Sequence, residues 1–260
     1  MKTPEHPNLS ISYAHQAQKQ AAEDFASTYN LPCQPLHKAR SELTLNFTEM
    51  QLEIIDLQNK MTLSVDFTGG SLGHRKKYGG GKGQTIAKAI GMKQGIAPPS
   101  ILDATAGLAK DSYVFACLGC SVTMLERSPI VAALVQDGIE RASLNTEFAE
   151  ILKNGFQLHQ VDALEYIQKV DNEHKPDVIY LDPMYPERKK SASVKKNMQI
   201  LQKLLGHDVD TTEVLDCALH KARRRVVVKR PKGASVLDSS RPPTLSYDSK
   251  ATRYDVYVMS

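Results

Sequence analysis

From residue 100 onward, short apolar runs alternate with longer stretches in which apolar residues recur every three or four positions. The runs at 101–104, 121–126, 157–161, 178–181 and 226–229 predict strands; the stretches at 110–117, 129–143, 164–169 and 194–217, broken near Gly206, predict helices. The resulting order, βαβαβαβαβ, belongs to a parallel sheet covered on both faces. Two more runs, 244–247 and 254–259, flank a short polar turn and predict an antiparallel hairpin that closes the sheet. The expected fold class is therefore α/β, with a mostly parallel seven-stranded sheet.

Earlier residues follow a different pattern. A helix is expected over 13–29, Pro32 and Pro35 break it, and strand-like runs follow at 43–47, 52–57 and 63–67. These predict a small α+β domain. The glycine-rich segment 78–83 leads into an expected helix at 84–91, and Pro98-Pro99 ends a candidate linker at 92–99. The division expected is a small domain at 1–95 and a larger α/β domain at 96–260.

Composition narrows the classes. Hydrophobic residues make up 41% and charged residues 24% of the 260 positions, which excludes a disordered or fibrous chain. No apolar run approaches the roughly 18 residues a membrane span needs, and no apolar segment follows the first lysine, so a cytoplasmic protein without a membrane partner is expected. Cys33, Cys117, Cys120 and Cys217 are too scattered for a disulfide framework. Cys117 and Cys120 form a CxxC without the second ligand pair that a zinc site requires, and read as small apolar residues at a helix-to-strand joint. The net charge of +4 is modest, but basic residues cluster at His74 to Lys77, Lys189-Lys190, Lys195-Lys196, Arg223 to Arg225 and Lys229-Arg230. Singly, each cluster is a solvated face; on one surface together they would suit a polyanion.

In an open α/β sheet, ligands bind beyond the carboxyl ends of the strands, so the residues that follow each strand carry the chemistry. The first strand runs into Asp103-Ala104-Thr105-Ala106-Gly107-Leu108-Ala109-Lys110-Asp111, where small residues allow close backbone approach before a helix start. Asp111 could equally be a helix cap. The second strand ends in Glu126, about 20 residues past that turn, where a carboxylate can accept from both ribose hydroxyls. The glycine fingerprint GxGxxG that serves a pyrophosphate is absent, and Gly79 to Thr85 does not form a P-loop. Asp162, after the third strand, could accept from an adenine amine or cap the next helix. The fourth strand gives Tyr180-Leu181-Asp182-Pro183-Met184-Tyr185-Pro186, an apolar strand followed by Asp-Pro-x-aromatic, the arrangement by which amino-methyltransferases hold a planar base. Acceptors on both amine hydrogens would localise its lone pair on nitrogen; the Asp182 carboxylate and the Pro183 carbonyl can supply them, with Tyr185 stacked on the base.

Taken together, DATAGLAKD at 103–111, MLERSP at 124–129, YLDPMYP at 180–186, SASVKK at 191–196, VVVKRP at 226–231 and HRKKYGGGKG at 74–83 resemble the RsmJ family of bacterial small-subunit ribosomal RNA guanine-N2 methyltransferases. The resemblance runs from about Val65 to Tyr257. It implies the class I methyltransferase sheet, S-adenosylmethionine as cofactor, ribosomal RNA or the small ribosomal subunit as partner, and N2-methylguanosine in 16S rRNA as product. Candidate cofactor contacts are Asp103, Gly107, Lys110, Asp111, Glu126, Arg127, Asp162, Ala163 and Asp182; candidate catalytic residues are Asp182, Pro183 and Tyr185. Arg75, Lys76, Lys77, Lys189, Lys190, Lys195 and Lys196 are the candidate RNA contacts, and no metal is required. The alternatives are an adenine-N6 methyltransferase on DNA or RNA, a non-catalytic RNA-binding or ribosome assembly factor on the same scaffold, and, more distantly, a nicotinamide-dependent oxidoreductase.

Overall fold

A computed structural model describes residues 8–69, 83–184, 196–206 and 210–259. The first of these carry β1 (Leu9–Tyr13), α1 (Lys19–Tyr29), β2 (Cys33–Pro35), β3 (Leu43–Phe47), β4 (Leu52–Asp56) and β5 (Met61–Leu63). Next come α2 (Thr85–Ala89), β6 (Ile101–Asp103), α3 (Lys110–Cys117), β7 (Val122–Glu126), α4 (Pro129–Ser143) and α5 (Thr146–Lys153). They are followed by β8 (Phe156–Gln160), α6 (Ala163–Lys169), β9 (Val178–Leu181), α7 (Lys196–Leu205) and α8 (Thr211–Lys221). Strands β10 (Arg225–Pro231), β11 (Leu245–Asp248) and β12 (Thr252–Val258) complete the order. Two compact units result: Met1–Val65 with Gln136–Arg141 and Met184–His207, and Asp66–Val135 with Ala142–Pro183 and Asp208–Ser260.

The first unit holds a five-stranded sheet in the order β2-β1-β3-β4-β5. Strand β1 lies parallel to both β2 and β3, whereas β3, β4 and β5 form an antiparallel meander. The expected helix over 13–29 is corrected here: its first residue closes β1, and α1 begins only at Lys19. In β1, Leu9 and Ile11 alternate with Ser10 and Ser12, and all of them are buried. The serines tolerate this because Ser10 Oγ donates to Thr44 Oγ1 at 3.1 Å and Ser12 Oγ to Asn46 Oδ1 at 3.0 Å, a polar ladder across neighbouring strands. The strand expected at 63–67 is shorter and earlier, as β5. From α7, the Lys203 ammonium reaches Glu42 at 2.5 Å and the fully buried Asp56 at 2.7 Å.

The second unit is the seven-stranded sheet, ordered β11-β12-β10-β9-β6-β7-β8. Strands β10, β9, β6, β7 and β8 are parallel, and β12 and β11 run antiparallel at one edge, as the C-terminal hairpin predicts. Interior strands of such a sheet are covered on both faces, which is why Val178, Ile179, Tyr180 and Leu181 of β9 are all buried. The chain steps from β6 through β7 to β8 in one direction, then returns to place β9 and β10 on the other side of β6. A crevice opens at such a reversal. Here it lies beyond the adjacent ends of β6 and β9, where Asp103 pairs in register with Tyr180. Among the described residues, no helix is long and apolar enough to cross a membrane.

Candidate active site

The Asp103–Asp111 segment leaves β6 and turns into α3 through Gly107 (φ 51°) and Ala109 (φ 55°), both in the left-handed region. Ala109 is strained there, whereas at Gly107 a glycine makes the turn without a steric cost, and a Cβ at that point would stand 4.0 Å from the Thr105 carbonyl oxygen. Three contacts hold the turn: Ala104 N–H donates to the Tyr180 carbonyl at 3.0 Å, Ala106 N–H to that of Leu125 at 3.1 Å, and Asp182 N–H to Thr105 Oγ1 at 2.6 Å. The last ties the end of β9 directly to the loop after β6.

Asp103 itself is 2% exposed. Ser112 Oγ donates to its Oδ2 at 2.5 Å and Thr105 N–H to its Oδ1 at 3.1 Å, so this carboxylate braces the loop from beneath. Burial pushes the Asp103 carboxyl up to about 7 against those two hydrogen bonds, and the charges of Asp111 and Asp182 push the same way. Asp111 is not a cap. The N-cap position of α3 is Ala109, and Asp111 instead receives the Tyr180 hydroxyl at 2.7 Å and the Lys229 ammonium at 2.7 Å.

Lys229 is shared. Its Nζ also donates to Asp182 Oδ2 at 2.7 Å, so one cation on β10 joins the acid after β9 to the acid in the first turn of α3. Burial disfavours its charge, but Asp182 and Asp111 outweigh that and hold the ammonium above the usual lysine range. Burial, then the same carboxylates, raises the Tyr180 phenol well above the ordinary tyrosine value.

On the other side of β6, Glu126 is buried at the end of β7. Gly107 N–H donates to its Oε2 at 3.1 Å and Ser128 N–H to its Oε1 at 2.7 Å, which fixes the carboxylate plane beside the loop. Each oxygen has two lone pairs, so the same group can accept both hydroxyls of a ribose. Val161 N–H donates to the Glu126 carbonyl at 3.1 Å and brings the end of β8 alongside. Beyond it, Asp162 caps α6 by accepting from Glu165 N–H at 3.1 Å, and Ala163 is the first helical residue. Lys110 opens α3 and is exposed, while Arg127 forms an ion pair with Asp210, at the N-cap of α8, at 3.2 Å. Pro183 is buried directly after Asp182.

The structure thus gathers Asp103, Gly107, Asp111, Glu126 and Asp182 around the ends of three neighbouring strands. Tyr185, Arg75, Lys76, Lys77, Lys189, Lys190 and Lys195, and the side chain of Lys196, lie outside what the structure describes. The residues the sequence reading passed over as site members are Lys229, hidden in the basic run VVVKRP, and Tyr180, hidden in an apolar strand. Register brings Lys229 to the site: it is one position past Val228, which pairs with Leu181, the last residue before Asp182.

Residues 25–259 match the family described as "Putative SAM-dependent methyltransferase". The ribosomal RNA small subunit methyltransferase J of Colwellia psychrerythraea is 50% identical over 216 residues, 83% of this chain and 77% of that protein. That of Psychromonas ingrahamii is 50% identical over 80% of each chain. The crystal structure of a SAM-dependent methyltransferase from Neisseria gonorrhoeae superposes with a TM-score of 0.72 at 33% identity, covering 96% of both chains.

The chain belongs to the ribosomal RNA small subunit methyltransferase J family.

Membership makes the larger unit a class I S-adenosylmethionine-dependent methyltransferase fold, and the local chemistry suits that cofactor. Asp103, Asp111 and Asp182 act on one another electrostatically, with Lys229 the cation bridging Asp111 and Asp182. Among the described residues this grouping has more acids than cations, which favours a sulfonium cation over the pyrophosphate of a dinucleotide.

Proposed function

We propose that this protein transfers a methyl group from S-adenosylmethionine to the exocyclic N2 amine of a guanosine in small-subunit (16S) ribosomal RNA, in the cytoplasm. The observation that carries the reading is the hydrogen bond from Asp182 N–H to Thr105 Oγ1, which sets the Asp-Pro motif at the lip of the same loop that Glu126 grips. The names of the relatives support the choice of ribosomal RNA.

The cofactor, when bound, supplies an electrophilic methyl group on a positively charged sulfur. Glu126 accepts from the ribose hydroxyls, and the glycine at 107 lets the backbone come close. Lys110, Asp111, Arg127, Asp162 and Ala163 frame the remainder of the cofactor, and Asp103 fixes the loop that carries these contacts. The Asp182 carboxylate and the Pro183 carbonyl accept the two amine hydrogens, which draws the nitrogen lone pair out of the ring and aims it. Tyr185 stacks on the base. Methylation makes the amine acidic, so its proton leaves to water or to Asp182 without a strong base. A guanine within a helix must first leave the stack, at a cost of a few kcal/mol. Arg75, Lys76, Lys77, Lys189, Lys190, Lys195 and Lys196 hold the flanking phosphates.

The test is incubation of the protein with methyl-labelled S-adenosylmethionine and 16S rRNA from a strain lacking this enzyme, followed by nucleoside analysis. Label in N2-methylguanosine is expected. Label in N6-methyladenosine would replace the guanine assignment, and cofactor binding without transfer would favour an assembly factor.

A further inference from the structure

Among the described residues, Lys229 hydrogen-bonds to neither Glu126 nor the loop backbone, yet it joins the two acids on either side of the switch point. Its ammonium stands 2.7 Å from Asp111 Oδ2 and 2.7 Å from Asp182 Oδ2, and it is only partly exposed. Among the described residues, the titratable groups gathered about it are Asp111 on α3 and Asp182 after β9, which it contacts, Tyr180 on β9, which shares Asp111, and Tyr254, its register partner on β12, while Asp103 on β6 is coupled to the same two acids. These are carboxylates and phenols. Asp103 already holds a proton up to about pH 7, and without the ammonium between them Asp111 and Asp182 would repel one another and their carboxyls would be pushed upward as well.

Resting on the functional reading above, we infer that Lys229 is a positioning residue for methyl transfer: it pins Oδ2 of Asp182 and keeps that carboxylate ionised, so that it meets the amine as an acceptor. A protonated Asp182 would offer the target amine a donor in place of an acceptor, and the lone pair would not be drawn toward nitrogen. The elevated protonation of Lys229 agrees, since the ammonium holds its proton throughout the working pH range. Tyr180 completes the arrangement by occupying Asp111 without removing its charge.

The distinguishing readout is pH. Removing the cation raises the Asp182 pKa, so the acid limb of the single-turnover rate moves toward alkaline pH. For Lys229→Gln, the deficit against wild type is expected to grow from about tenfold at pH 8 to about a hundredfold at pH 6. Lys229→Arg retains the charge, and its acid limb should stay within about 0.3 pH units of wild type even where its overall rate is lower. A residue that merely supports the fold would lower the rate equally at every pH. That result in Lys229→Gln, with wild type active, overturns this assignment alone. Should Lys229→Gln fail to bind S-adenosylhomocysteine in calorimetry, Lys229→Arg decides, and an acid limb displaced by about a unit or more overturns the assignment. Wild-type protein inactive on the unmethylated 16S rRNA would overturn the functional reading, and this assignment with it.

Discussion

The buried phenol of Tyr180 donates to Asp111 Oδ2 at 2.7 Å, linking the strand that leads into Asp182 to the first turn of the helix that follows the β6 loop. Its acceptor is charged and part-buried, so the bond is stronger than a neutral one. Tyr180→Phe keeps the ring, which packs edge-on against Phe115, and removes only this hydrogen bond. A loss of about 1–2 kcal/mol in urea unfolding is expected. Unchanged stability would mean that the Tyr180 hydroxyl adds nothing to the hold on Asp111.

Glu126 and Asp182 should separate binding from chemistry. Glu126→Gln keeps the shape, but its amide can offer only one oxygen to the Gly107 and Ser128 N–H groups. Cofactor affinity, read by calorimetry, should weaken by about tenfold to a hundredfold. Asp182→Asn should lower the transfer rate by about a hundredfold to a thousandfold, with a smaller effect on affinity. Equal losses of affinity in both variants would remove the distinction.

Asp103 makes stability depend on pH in a stated direction. Its folded pKa, raised from 3.8 to about 7, means that the folded state retains a proton which the unfolded chain releases. Stability should therefore fall as pH rises from about 4 to about 7 and level off above that. Asp103→Asn should flatten this slope in denaturant titrations across the window; a slope that persists would assign it to another group.

The Lys203 to Asp56 pair in the smaller unit behaves oppositely. Burial opposes the Asp56 charge, but hydrogen bonds from Asn59 and Lys203 win and hold its carboxyl below the usual aspartate range. Its contribution is present above the ordinary carboxylate pKa and is lost as pH falls through the lowered value. Lys203→Met leaves Asp56 fully buried with only its Gln58 and Asn59 donors. A loss of about 1–3 kcal/mol at pH 7, shrinking in acid, is expected from thermal or urea unfolding.

The larger sheet was legible because its interior strands are continuous apolar runs, such as Val178 to Leu181 and Val226 to Val228, each followed by polar or acidic residues. Strand β1 was not, because its serines suit a loop until Thr44 and Asn46 are known to face them across the sheet. Helix α5 escaped as well: it starts one residue after Asn145, which accepts from the N–H groups of Glu147 and Phe148, and its cap falls where one helix had just ended. Asp182 and Glu126 could be named from their places after strands. The bridge through Lys229 could not, since a lysine in a basic run carries no mark of the register that turns it toward two acids.

Strand β12 has one more implication. It lies between β11 and β10, and it covers the flank of β10 that β9 does not. A ribosome producing this chain leaves the backbone N–H and C=O groups along one edge of the apolar run Val226 to Val228 without their β12 partners until residues 252–258 have emerged. A premature stop in that interval would leave a sticky, self-associating fragment, and the defect would surface as insoluble protein before it surfaced as lost methylation.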